Sequence, residues 1–130
     1  MSFPLPSLLA VLLGGAIGSA LRWALGLALN PVLASLPLGT LAVNLIGGFI
    51  IGGAMGVFDH YQTLPPELRL FVITGFCGGL TTFSTFSAET VALLLRAQYA
   101  WAFAIVATHV LGSLATTLAG LGLVRLLVRA

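Results

Sequence analysis

The sequence predicts an all-α integral membrane protein with four transmembrane helices, the third of them broken in mid-membrane. The first observation is composition: 59% of the 130 residues are hydrophobic and only 6% are charged, against roughly one-quarter charged in soluble domains. The second is a run of Gly, Thr, Ser and Phe, GFCGGLTTFSTFSAET, at residues 75–90. The net charge of +2 comes from scattered arginines, which gives no case for nucleic-acid binding.

Prolines and the few charges divide the chain into four predicted spans within a single transmembrane domain, residues 1–130. The spans lie near residues 7–29, 37–58, 68–95 and 99–127. An even number of spans places both termini on one side of the membrane, with Arg69, Arg125 and Arg129. Arg96 lies on the other side, together with Arg22 if that residue is counted, so the bias is three against one or two. This weak bias favours cytoplasmic termini and permits copies inserted in both directions.

Polar residues form a stripe on each of two spans. Asn44 is the only amide inside a predicted span, and it is interpreted either as an interhelical hydrogen bond or as a donor offered to a passing ligand. On the fourth span the stripe consists of His109, Ser113, Thr116, Thr117 and Gly120. It indicates a wet path, although Ser and Thr also bond to their own helix. With no second ligand at metal spacing, His109 is interpreted as an interior polar residue.

Two charged residues lie within the predicted spans. Arg22 and Glu89 each lie about seven residues from a span end, so each can reach the headgroup region, and Glu89 can instead face a water-filled vestibule. Isolated charges do not make a proton relay, which needs a chain of titratable groups.

The third span contains glycines and adjacent threonines that disfavour a continuous helix. Gly75, Gly78, Gly79, Thr81 and Thr82 are poor helix-interior residues, so a break is expected there. A broken membrane helix exposes carbonyls at the end of its first half and amides at the start of its second. Those groups suit a cation and an anion respectively.

Aromatic and hydroxyl side chains follow the predicted break. Phe83 and Phe86 share a face of the restarted helix, beside the hydroxyls of Ser84 and Thr85. The positive edge of a phenyl ring attracts an anion without a full charge, and weak attraction suits conduction. The alternative is aromatic packing beside a kink. Four helices alone pack around side chains and leave no water-filled path, so a pore requires a second copy of the chain. A copy inserted in the opposite direction would supply the inverted repeat that transporter folds often use.

Three segments carry a resemblance to a known family. GGAIGSALRW (14–23), GTLAVNLIGGFIIG (39–52) and GFCGGLTTFSTFSAE (75–89) occur in this order, and the chain resembles the Fluc (CrcB) family of small fluoride channels. The resemblance implies a multi-pass, non-enzymatic protein of the bacterial inner membrane. It also implies an antiparallel, dual-topology homodimer with two fluoride pathways, a structural sodium ion at its centre, and passive fluoride export that relieves toxicity.

The resemblance also implies roles for individual residues. Asn44 would line the pore, the edges of Phe83 and Phe86 would contact fluoride, and Ser84 and Thr85 would add hydroxyl donors. The carbonyls of Gly78 and Thr81 would hold the sodium ion.

Further roles follow for the path ends and the fourth span. Arg22 would favour anion entry, and Glu89 matches the family's acidic position in the third motif. Ser113 fits the family's polar track on the fourth span, whereas Ile105 takes a tyrosine position and His109 a hydroxyl position. A histidine there predicts pH-sensitive conduction.

The alternative function is a small multidrug transporter, also a four-span antiparallel dimer. That class needs a membrane-buried carboxylate in the first span, and residues 7–29 contain none.

Overall fold

The structure, a computed structural model, describes residues 3–129, and its regular elements there are helices. Four segments are long and apolar enough to cross a membrane, which confirms the predicted all-α class with four spans and a broken third. The helices are α1 (Leu5–Leu29), α2 (Leu38–His60), α3 (residues 66–80), α4 (Phe83–Leu95) and α5 (Tyr99–Arg129). Within α3, an α-helical turn Pro66–Arg69 leads into a π-helical segment Leu70–Cys77 and a last turn Gly78–Leu80.

Proline and turn residues set several of the helix ends. Pro37 precedes α2 and Pro66 occupies the first turn of α3, where the missing N–H costs no hydrogen bond. The link from α4 to α5 is a tight turn in which Ala97 has φ 57°. The N–H groups of Ala97 and Gln98 donate to the carbonyls of Leu94 and Leu93, so the turn satisfies the last carbonyls of α4.

Glycines bring the helix backbones close together in two pairs. Gly14 and Gly18 of α1 pack against α3, and Gly52 of α2 packs against α5. A Cβ on Gly75 would lie 2.8 Å from the Val11 oxygen and 3.0 Å from the Gly14 Cα. Such approach is how helices associate in lipid, where there is no hydrophobic force between them.

The buried core is small, as expected where lipid covers the outer surface. Between α4 and α5 the buried residues are Phe86, Leu93, Ala102 and Ile105. Most large apolar side chains elsewhere face outward. The other buried apolar residues lie along α2 and at the end of α3: Val43, Ala54, Phe58, Cys77 and Leu80.

Candidate functional site

The third span breaks at two extended residues. Thr81 (ψ 157°) and Thr82 (φ −151°, ψ 118°) separate α3 from α4. The Thr82 hydroxyl accepts a hydrogen bond from the Thr85 N–H at 3.1 Å, which caps the new helix. The break is therefore a stop followed by a separately capped start.

Asn44 of α2 holds the broken segment through both atoms of its amide. The Thr82 N–H donates to Asn44 Oδ1 at 2.7 Å, and Asn44 Nδ2 donates to the Thr82 carbonyl at 3.0 Å. Extended backbone at membrane depth needs such partners, because lipid supplies none. The interhelical interpretation of Asn44 thus describes this contact, and the side chain also lines the cavity described below.

His109 of α5 completes this cluster. Its Nδ1 lies 3.0 Å from Asn44 Nδ2, and its ring stacks on Phe86 with centroids 4.5 Å apart and planes at 28°. The residue is 4% exposed. Within residues 3–129, its Nε2 is buried and has no hydrogen-bond partner.

The carbonyls around the break divide into satisfied and free groups. Arg22 Nε of α1 donates to the Gly79 carbonyl at 3.0 Å, and the Thr81 N–H and hydroxyl both donate to the Cys77 carbonyl. Because the Thr82 N–H turns to Asn44, the Gly78 carbonyl loses its normal helical partner. In the described part of the chain, no hydrogen bond reaches the carbonyls of Gly78 or Thr81.

A groove of about 460 Å³ runs beside the break and has no charged residue in its lining. Phe83 and Phe86 form an edge-on pair, with centroids 5.5 Å apart and planes at 70°. Phe86 is 7% exposed, whereas Phe83 is 78% exposed at the rim. The groove brings together five of the predicted pathway residues: Asn44, Phe83, Phe86, His109 and Ser113.

A second cavity, of about 480 Å³, lies on the other side of the break. Arg22 of α1, Thr40 of α2 and Thr85 of α4 line it, and Thr82 lines both cavities. Ser84 is exposed, with its Oγ 3.4 Å from the Thr82 Oγ1. The structure thus places Thr85 with Arg22 rather than with the groove.

Glu89 is tied to α2 rather than extended to the surface. The Thr40 hydroxyl donates to its Oε1 at 2.7 Å, and Thr40 is 4% exposed. Among the described residues, Glu89 Oε2 is buried without a hydrogen-bond partner. The half-buried carboxylate of Glu89 therefore links α4 to α2.

The polar stripe of α5 changes character along its length. His109 and Ser113 line the groove, whereas the hydroxyls of Thr116 and Thr117 donate to the Ser113 carbonyl at 3.1 and 2.8 Å. These two threonines pack on Gly48 of α2. Ile105 is completely buried in the core. The C-terminal part of the stripe, Thr116 and Thr117, therefore serves helix packing rather than the groove.

Sequence reasoning left Thr82 out of the predicted site, although it contacts Asn44, caps α4 and lines both cavities. A Thr immediately before a helix, three residues ahead of the N–H it caps, is the signal that identifies it. Within residues 3–129, no group of three or more His, Cys, Asp or Glu side chains is placed to hold a metal.

Comparisons with known proteins give the family. The profile described as "CrcB-like protein, Camphor Resistance (CrcB)" matches residues 9–121. The chain is 60% identical over 115 residues to the "Fluoride-specific ion channel FluC" of Nitrosospira multiformis, covering 88% of this chain and 90% of that protein. It is 57% identical to the protein of that name from Pseudomonas aeruginosa strain UCBPP-PA14, covering 88% and 91%. This helical, broken-span membrane protein therefore belongs to the CrcB family.

Proposed function

We propose that the protein is a fluoride-specific ion channel. The observation that carries the proposal is the uncharged groove beside the broken helix, which is lined by neutral polar groups and by the Phe83 and Phe86 rings, packed edge-to-face against each other. Ring edges and neutral donors attract a small anion without holding it, which conduction requires. The relatives named fluoride-specific ion channels, at 53–60% identity, support the choice of ion.

The path is proposed to run from the second cavity past Thr82 to the groove. Thr82 lines both spaces, which supports their continuity. Arg22 adds positive charge at the entry while one of its nitrogens supports the end of α3. Thr85 and Ser84 offer hydroxyls near the restart of the helix, and Ser113 extends the groove beyond His109. Glu89 acts behind this path by fixing Thr40.

The working unit is proposed to be an antiparallel homodimer of oppositely inserted copies. One copy leaves Phe83 78% exposed at the rim of the groove and Gly78 exposed beside it. A second copy would close the groove, and two copies would make two pathways. The near balance of arginines between the two membrane faces is compatible with dual topology.

A structural sodium ion is proposed at the centre of this dimer. The carbonyls of Gly78 and Thr81 fit it, since both lack hydrogen-bond donors within the described chain and Gly78 lies at the exposed face. The helix end also carries partial negative charge. A sodium ion bound by two carbonyls from each copy would offset that charge and join the subunits.

Passive export across the bacterial inner membrane is the proposed physiological role. A membrane potential that is negative inside drives an anion outward by about 2.3 kcal/mol for each 100 mV. A channel selective for fluoride would therefore lower its internal concentration and relieve toxicity passively, driven by the membrane potential alone.

Fluoride efflux from liposomes tests the proposal. Purified protein should release internal fluoride, measured with a fluoride electrode, about tenfold or more faster than empty liposomes. Chloride release from matched liposomes should stay at the background rate. Absence of fluoride release, or equal chloride release, would reject the channel. A reporter fused to the C-terminus should give signals from both sides of the membrane if topology is dual.

A further inference from the structure

The contacts of Asn44 determine which way its amide points. A backbone N–H only donates and a carbonyl only accepts. Since the Thr82 N–H lies 2.7 Å from one amide atom and the Thr82 carbonyl 3.0 Å from the other, the first must be the oxygen and the second the nitrogen. The amide nitrogen is therefore the atom that faces His109.

The orientation of Asn44 in turn determines the tautomer of His109. Asn44 Nδ2 lies 3.0 Å from His109 Nδ1 and has only hydrogens to offer. Nδ1 must accept, so neutral His109 carries its proton on Nε2. Both hydrogens of the Asn44 amide are then used, one on the Thr82 carbonyl and one on Nδ1. Asn44 keeps no hydrogen for an ion.

The remaining donor of this cluster is the His109 Nε2–H. That nitrogen is buried and lacks a partner in residues 3–129, and an unsatisfied buried donor is destabilising. The ring forms part of the groove wall and stacks on Phe86, whose own partner Phe83 stands edge-on at the rim. A compact anion that reached this nitrogen from the groove would supply the missing acceptor.

We propose that the His109 Nε2–H is the hydrogen-bond donor that fluoride meets at this point of the path, and that Asn44 is the positioning residue that holds His109 in the donating tautomer. This inference rests on the proposed channel function and changes the role expected for Asn44, from ligand to orienting group. The donor is neutral, so it binds a dehydrated anion without trapping it.

Nitrogen NMR of the two histidines tests the donor directly. In protein labelled with ¹⁵N-histidine, His109 should show a protonated Nε2 and an unprotonated Nδ1, and fluoride should shift the Nε2 signal saturably. Sodium chloride at equal concentration should not. His60, exposed at the end of α2, is the internal control and should not respond to either ion. A His109 proton on Nδ1, or a His109 signal that ignores fluoride, would overturn the proposal.

Electrical recording of fluoride current provides the functional test. His109→Gln keeps one acceptor and an N–H donor, so its current should remain within about tenfold of wild type, whereas His109→Leu has neither and should lose about a hundredfold. His60→Gln should conduct like wild type. Equal currents in wild type and His109→Leu would refute the assignment while leaving the channel function intact. A wild-type protein that carries no fluoride current would instead refute the proposed function.

Discussion

The two halves of the third span differ in how they use their residues, although only Thr81 and Thr82 separate them. The small residues at the end of α3 make helix–helix contacts: Gly75 and Gly79 pack against the backbone of α1. The start of α4 is capped by the Thr82 hydroxyl and carries two phenylalanines, one buried (Phe86) and one 78% exposed (Phe83). Small residues thus pack the first half against α1, whereas the second half carries the two rings that line the groove. The first half ends in carbonyls and the second begins with amides.

A large side chain at the α1–α3 contact should have the largest effect on folding. Gly75→Leu would place side-chain atoms where the Val11 oxygen lies 2.8 Å from a Cβ, and backbone on both sides leaves no room to yield. We expect little or no monodisperse protein by size-exclusion chromatography. Gly122→Leu is the matched control, because nothing lies within 4 Å of a Cβ there. Normal yield of Gly75→Leu would contradict the close α1–α3 contact.

Removing a ring on the α4 side should abolish conduction and spare the fold. Phe83 is 78% exposed in one copy, so Phe83→Ile should cost little stability while fluoride flux falls by about a hundredfold or more. Phe103→Ile is a control of equal chemistry on α5, where Phe103 is 77% exposed. Equal flux in both variants would remove the aromatic edge from the mechanism.

Removing sodium should destabilise the dimer at the end of α3, where the free carbonyls lie. If the Gly78 and Thr81 carbonyls hold the ion, replacing sodium by a large organic cation should reduce dimer stability and flux together. Thr81→Ala should still respond to sodium, since the variant keeps its carbonyl and loses only the hydroxyl bond to Cys77. Crosslinking of the dimer across a sodium titration measures this. Identical dimer populations with and without sodium would argue against the site.

Acid should reduce the fluoride current through His109. A proton on Nδ1 would face the Asn44 amide hydrogens at 3.0 Å, and the added charge would hold an anion longer. Between about pH 8 and pH 5.5 we expect a several-fold fall in wild-type current and none in His109→Gln. Planar-bilayer current is the appropriate measurement, because neutral hydrogen fluoride crosses lipid without carrying charge. Superimposable pH profiles of the two proteins would exclude His109 as the sensor.

Loss of the cap at the break should have the smallest effect. Thr82→Ala removes the hydroxyl that accepts from the Thr85 N–H, at a cost of about 1 kcal/mol. Thr82→Ser should retain it. Thermal unfolding in detergent should rank wild type and Thr82→Ser above Thr82→Ala. Reversed order would mean that the hydroxyl does not stabilise the start of α4.

The predictions from sequence succeeded where one residue's chemistry limits its options. Gly and Thr in an apolar run indicated the break, because poor helix formers in lipid are tolerated only where other protein groups satisfy the backbone. Partners were harder to predict. Arg22 meets the Gly79 carbonyl, and Glu89 meets Thr40, 49 positions away. Both contacts join different helices, and residue spacing within a helix carries no information on them.

The sequence by itself determined that the chain lies in a membrane, that it crosses four times and that the third crossing is interrupted, because hydropathy and helix propensity act over short stretches. Only the tertiary structure decided how the interruption is satisfied. The Asn44 amide uses its oxygen and its nitrogen on the Thr82 backbone and its last hydrogen on His109. Hydrogen bonding is directional, so which polar atom of the described cluster stays unpaired, His109 Nε2, emerges only when the helices that carry these residues are brought together.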